Sequence, residues 1–210
     1  MEEVLSVYER PADERFPLAC LDEFCKQLLS EVSAPLPARP GAPPRHDYEY
    51  VREGCATAFM IYAPLAGVRR ILVSADATRT ALDYAEALRV LSDEMFPDAE
   101  RIVLVEDNLN THSDAALYAA FPPEEARRLA ARFERHHTPK HGSWLNIAES
   151  EISAVVRTGI AARVGSIEEF RRQCHAAETL RNRECRKTDW HFTCEDSRVK
   201  LKSLYPSFQN

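Results

Sequence analysis

Two apolar runs, each of which stops at a pair of acids, constrain this chain more than any other feature. Phe16-Pro17-Leu18-Ala19-Cys20-Leu21 gives way to Asp22-Glu23, and Arg101-Ile102-Val103-Leu104-Val105 gives way to Glu106-Asp107. The second run lacks alternation, as in a strand buried on both faces, and the first reads as a buried strand that ends in acidic groups.

The segments around these runs extend the pattern. Residues 47–53, 55–63 and 68–74 are β-prone and read as three antiparallel strands. Thr80 is placed to cap a helix over 81–95, where Leu82, Ala85, Leu88, Leu91 and Met95 recur at helical spacing before Pro97. Ser113 is placed to cap a helix over 114–120, and Pro122-Pro123-Glu124-Glu125 opens another that reaches Arg132. Residues 133–138 form a further strand, Ser143 caps a helix from Trp144 to Arg157, and Ser166 with Glu169 forms a capping box for a helix to Arg186. That order predicts an α/β fold, a mixed sheet flanked by helices. Residues 1–15 are a charged lead-in and 16–165 the main domain, interrupted at 35–44 by an irregular loop with five prolines. Residues 166–210, a helix and a basic tail, are expected to pack on the same domain.

With 210 residues, 45% hydrophobic and 29% charged, the chain can bury a sizeable core. The N-terminus has no basic region followed by an apolar run, and no stretch is apolar enough to span a bilayer, so a cytoplasmic protein without membrane contact is expected. The six cysteines include no C-x-x-C pair, and the spacing of Cys185, His191 and Cys194 matches no common zinc site, so reduced structural thiols are expected. The net charge of −6 is unevenly spread: residues 1–120 hold 11 basic and 21 acidic side chains, residues 121–210 hold 16 and 12. An acidic half suits a divalent-metal site and a basic half suits phosphate contact, although a solvated mixed surface explains the same distribution.

Ligand sites in mixed α/β sheets lie at the carboxyl ends of strands, which makes Asp22 and Asp107 candidate neighbours. Carboxylates brought together repel one another unless a cation compensates. Hard oxygen ligands suit Mg²⁺ or Mn²⁺, and two such ions about 4 Å apart can activate a nucleophile and stabilise a leaving oxygen in phosphoryl transfer. Acids that follow strands are also common turn residues, and two aspartates alone leave both readings open.

The words around the acids resemble the mariner-like bacterial insertion-sequence transposases, a group of DDE superfamily endonucleases. Cys20-Leu21-Asp22-Glu23, Val103-Leu104-Val105-Glu106-Asp107-Asn108, the stretch Thr138-Pro139-Lys140-His141-Gly142-Ser143-Trp144-Leu145-Asn146 and the closing Lys200-Leu201-Lys202-Ser203-Leu204-Tyr205-Pro206 carry the resemblance, in order, over nearly the whole chain. It implies an RNase H-like fold with a mixed five-stranded sheet, and a catalytic, metal-binding triad of Asp22, Asp107 and Glu149 that holds Mg²⁺ or Mn²⁺ as two ions. It also implies cleavage of DNA at the ends of a mobile element, followed by attack of the freed 3′-hydroxyl on target DNA.

Glu151 rivals Glu149 for the third position. At roughly 100° per residue from Leu145, the stripe of Leu145, Ala148, Ile152, Val155 and Val156 centres near roughly 340°, with Glu149 at roughly 40° and Glu151 at roughly 240°. Helix phase therefore puts Glu149 nearer the packed face. Glu106, where relatives carry an apolar residue, is read as an outward-facing charge at a strand end, with a supplementary ligand as the alternative. His112 is read as a hydrogen-bonded structural histidine, with orientation of a metal-bound water as the alternative. Lys140, His141, Trp144, Arg181 and Arg183 are candidate DNA contacts; Trp144 serves the core equally well, and Arg181 and Arg183 sit where a helix end favours cations.

The resemblance implies partners as well: DNA, a helix-turn-helix portion that recognises the element ends, and a second copy in a homodimer, within the bacterial nucleoid. The chain opens near the lead-in to the first acid-bearing strand, which fits one frame of a split gene, an internal start or a truncated copy. A silent relic or DNA-associated regulator that keeps the fold, and another RNase H-like nuclease, are the competing functions. Retention of all three acids favours the active enzyme.

Overall fold

Alternation along the central strands sorts the molecule into layers. A computed structural model describes residues 1–45, 47–74, 80–109, 112–140 and 142–205. In chain order come helix α1 (Glu2–Tyr8), strands β1 (Leu18–Glu31), β2 (Tyr50–Ala63) and β3 (Val68–Val73), and helix α2 (Ala81–Val90), which runs on as a π turn over Leu91–Met95. Strand β4 (Ile102–Glu106), helices α3 (Asp114–Ala120) and α4 (Pro123–Ala130), strand β5 (Phe133–His137) and helices α5 (Ile147–Gly159), α6 (Ile167–Arg183) and α7 (Cys194–Lys200) follow.

The five strands form one sheet in the order β3-β2-β1-β4-β5. β1, β2 and β3 are antiparallel neighbours, whereas β4 runs parallel to β1 and β5 parallel to β4. Cys20, Phe24, Met60, Tyr62, Val103 and Val105 point to the face covered by α1, α5 and α6. Ala19, Leu21, Phe59, Ile61, Ile102 and Leu104 point to the other, beneath α2, α3 and α4. The period of two in the strands thus buries a different set of side chains on each side. The mixed five-stranded sheet with helical cover is as expected from the sequence.

Three expectations are corrected. Residues 47–53 and 55–63 do not form separate strands: β2 continues through Gly54, whose φ of +108° suits a residue without Cβ. There the register with β1 slips between Leu28 and Leu29, a bulge that bends the ladder without ending it. Asp22 does not end its strand either, because buried Phe24 and Leu28 carry β1 on to Glu31. What ends near Asp22 is the parallel ladder to β4, paired from Leu18↔Val103 to Cys20↔Val105. Asp22 and Asp107 each lie two residues beyond that last pair, level with one another across the sheet. Finally, Ser143 opens a 3-10 turn, Ser143–Leu145, and Asn146 caps α5.

Local sequence explains the other helix starts. Thr80 and Asp83 form a reciprocal capping box on α2, and the Ser166 hydroxyl accepts from the Glu169 N–H at 3.2 Å on α6. Pro123 stands in the first turn of α4, where a missing N–H costs nothing. The lead-in is itself structural: Val4, Leu5, Val7 and Tyr8 of α1 are buried, and the Tyr8 hydroxyl donates to the Leu145 carbonyl at 2.6 Å.

Candidate active site

Three elements bring the acids together. Asp22 follows Leu21 in β1, Asp107 follows the last residue of β4, and Glu149 lies in the first turn of α5. Asn146 fixes the start of α5 against β1: its side chain accepts from the Ala148 N–H at 3.1 Å and donates to the Leu21 carbonyl at 2.8 Å. One side chain therefore caps the helix that carries Glu149 and holds it one residue from Asp22. By the alternation of β1, Asp22 falls on the face covered by α5, whereas Asp107 lies just past the end of β4, at the sheet's edge.

Electrostatics records the proximity. The Asp22 carboxyl is pushed up to about 7, first by burial and further by the charges of Asp107 and Glu149, against a hydrogen bond from the Glu23 N–H. An acid held this far above its ordinary range is short of positive charge. Asp107 Oδ1 is buried and lies 2.8 Å from His112 Nδ1, too poorly aligned for a hydrogen bond. A half-buried acid with no cation beside it among the described residues, next to an Asp107 carboxylate that is 28% exposed on the side away from His112, fits a hard divalent cation, so the residues present suit Mg²⁺ or Mn²⁺. The tightest grouping of metal-type side chains among the described residues is nevertheless a different one: ligand atoms of Glu23, Asp107 and His112 lie within 4.8 Å of one another. Asp22 and Glu149 stand near Asp107 without converging to that extent. Cys185, His191 and Cys194 form no such group, and all six thiols are free.

Glu23, which sequence reasoning passed over, emerges on the opposite face of β1 from Asp22. There its carboxylate meets His112 Nε2 at 2.9 Å. His112 Nδ1 is 3.0 Å from the Asp107 carbonyl oxygen and 2.8 Å from Asp107 Oδ1, and the ring stacks on Tyr84 at 4.4 Å. Burial pulls the imidazole down, but the contacts with Asp107 and Glu23 and the charge of Glu106 outweigh it and hold His112 at about 10. The alternation that places Asp22 and Glu23 on opposite faces was the signal available in the sequence.

Glu106 corrects a further expectation. It does not face outward but is fully buried, because it shares the face of Leu104 beneath α2 and α3. Tyr84 donates to it at 2.7 Å and Arg135 Nη1 lies 3.3 Å away; burial raises its carboxyl above the ordinary range despite these partners.

The helix phase of Glu149 and Glu151 also differs from expectation. Glu151 is the more buried, with its side chain 3% exposed, and it joins Arg69 at 2.8 Å and Arg181 at 2.5 and 2.8 Å. The wheel allowed for one packed face, whereas α5 meets the sheet and α6 together, and Val156, counted in the stripe, is exposed. Glu149 stays half-buried beside Asp22.

Among the candidate DNA contacts, Lys140 and Arg183 are exposed, and Arg181 is engaged by Glu151. Trp144 is 42% exposed and joins Trp190 and Phe192 in an aromatic cluster with ring centroids 6.4 and 5.8 Å away. His141 lies outside the described residues. Among those described, no helix is long and apolar enough to cross a membrane.

A sheet with three antiparallel strands followed by two parallel ones, and with acids at the point where β1 and β4 part, defines an RNase H-like catalytic fold. Residues 17–171 match the family model of the DDE superfamily endonucleases, and the chain belongs to that family. The fold is similar to that in the crystal structure of the Mos1 strand transfer complex (TM-score 0.52, 15% identity), with 88% of this chain and 58% of that chain covered. It is also similar to that in the Mos1 mariner paired-end complex with Mg (TM-score 0.50, 17% identity), with the same coverage of 88% and 58%. The chain thus spans less than two thirds of the length of these solved chains. No curated protein matches it.

Proposed function

We propose that this chain is the catalytic domain of a transposase, which cleaves DNA at the ends of a mobile element of the bacterial insertion-sequence type and joins the freed end to target DNA. The observation that carries the reading is the half-buried Asp22 carboxyl, pushed up to about 7 by burial first and then by the charges of Asp107 and Glu149. Three acids with a shortage of positive charge, at the carboxyl end of the parallel strand pair, are arranged for divalent cations.

Asp22, Asp107 and Glu149 are the residues assigned to hold Mg²⁺ or Mn²⁺, as two ions. When bound, such ions lower the barrier to attack by water or a 3′-hydroxyl and stabilise the leaving oxygen at phosphorus. The protein's own part is positional. Asn146 fixes the helix start that presents Glu149, and the β1–β4 ladder sets Asp22 level with Asp107. Lys140, His141, Trp144 and Arg183 are assigned to the DNA surface, with Arg181 as a support that Glu151 holds in place. DNA is the partner of the domain; a helix-turn-helix portion, a homodimeric assembly and a nucleoid location belong to the same reading through the family resemblance. Residues 16–165 form its catalytic unit and 166–210 a buttress on it.

The test is nicking of duplex DNA that carries the element ends, in Mg²⁺ or Mn²⁺. Asp107→Asn is expected to reduce it at least about 100-fold, since removal of a key charge-stabilising group costs that order of rate. Unchanged nicking by a folded Asp107→Asn protein contradicts the mechanism.

A further inference from the structure

Behind the acid trio, on the other face of the sheet, lies a buried layer of charge whose purpose is not explained by packing. Glu23, His112 and Glu106 have side chains that are 2%, 0% and 0% exposed. Burial of so many ionisable groups is costly unless each is held in a defined geometry. Here each is. His112 Nε2 faces Glu23 Oε1 at 2.9 Å, and Nδ1 faces the Asp107 carbonyl oxygen at 3.0 Å. Ionised carboxylates and carbonyls only accept, so both ring nitrogens donate. The ring plane is fixed by Tyr84, stacked within 19° of parallel, and Tyr84 is itself fixed by its bond to Glu106 and by Arg135, which donates to its hydroxyl at 2.6 Å.

We propose that His112, anchored through Glu23, is a positioning residue that sets the orientation of the Asp107 carboxylate toward the cation site on the opposite face. The geometry gives the reason. His112 grips Asp107 at two points, the carbonyl oxygen and Oδ1, the latter at 2.8 Å. Oδ1 is buried against the ring while the side chain as a whole is 28% exposed, so the open part of the group faces away from His112. A carboxylate at the end of a strand, with loop beyond it, otherwise has a broad terminal torsion and would turn freely. Glu23 completes the device from β1, the strand that also carries Asp22, so the two metal-binding strands are tied together through one imidazole. Partners of this kind behind a ligand, which orient it without touching the ion, typically change metal affinity about 10- to 100-fold when removed.

This inference rests on the reading of Asp107 as a metal ligand, and the experiment separates the two. Mn²⁺ binding to the full chain, without DNA, is followed by the electron paramagnetic resonance signal of free Mn²⁺, alongside thermal unfolding of each variant. Asp107→Asn is the control and is expected to abolish tight binding. Glu23→Ala and His112→Asn are each expected to weaken Mn²⁺ binding about 10-fold. Glu23→Gln, whose amide oxygen still accepts from Nε2, is expected to recover most of the loss. If either folded variant, Glu23→Ala or His112→Asn, binds Mn²⁺ as tightly as the unaltered chain while Asp107→Asn does not, the positioning role is overturned and the metal reading stands. If Asp107→Asn also binds normally, both are overturned.

Discussion

Asp22 shows what a single residue contributes and what it costs. Its folded-state carboxyl titrates at about 7, above the ordinary value of 3.8, so ionised Asp22 opposes folding. That penalty is fully present above pH 7 and disappears as the pH falls through 7 toward 4, where the protonated acid is carried in both states. Without divalent ions, Asp22→Asn is therefore expected to stabilise the chain at pH 8 by on the order of 2 kcal/mol, and by much less at pH 5. Urea denaturation at the two pH values measures it; equal effects at both would contradict the assignment. Asp22 and Asp107 were legible because they terminate apolar runs. Glu106 was not, because a charge at a strand end looks solvent-bound until the covering helices are in place. Tyr84 and Arg135, which satisfy it, come from α2 and β5, far away in sequence.

At the scale of elements, α5 carries both rivals for the third acid, and they do different work. Glu151 is clasped by Arg69 and Arg181 in the buried angle between sheet and helices, and its removal leaves the fully buried Arg69 without its 2.8 Å carboxylate partner, though still donating to Asn182 and the Arg186 carbonyl. Glu151→Ala is expected to cost roughly 3–5 kcal/mol in stability. Glu149→Gln is expected to leave stability within about 1 kcal/mol while abolishing metal-dependent nicking. Chemical denaturation with a nicking assay on the same samples separates the pair, and the reverse pattern would transfer the catalytic role to Glu151. Asn146→Ala removes the cap of α5 and its bond to Leu21, for an expected loss of roughly 1–3 kcal/mol. Helix existence was readable from periodicity at α2 and from the capping signature at α6. The cap of α5 was misread by three residues because Ser143 is an equally good capping type. Only the tertiary bond from Asn146 to β1 decides between them.

The whole molecule explains why the lead-in and the tail matter to an acid trio to which they contribute no residue. α1 buries Val4, Leu5, Val7 and Tyr8 beneath the sheet, Tyr8 holds the turn before α5, and the Tyr8 ring lies 5.2 Å from Trp190. The two ends of the chain thus brace the loop that precedes Glu149. Leu5→Ala is expected to destabilise the fold by roughly 2–5 kcal/mol, measured by urea denaturation, and a loss below about 1 kcal/mol would show that α1 is dispensable. The sequence offered little warning of this, since seven residues flanked by charges carry too short a period to read. Sheet order was legible only in outline: alternation identified strands, but the length of β1 emerged from pairing with β2, a long-range contact.

Soaking crystals of the chain in Mn²⁺ and locating the ions by anomalous scattering tests the central claim most directly. The account predicts density bridged by the carboxylates of Asp22, Asp107 and Glu149 on the α5 face. Mn²⁺ bound instead by Glu23 and the His112 ring, with Glu149 left out, would contradict it.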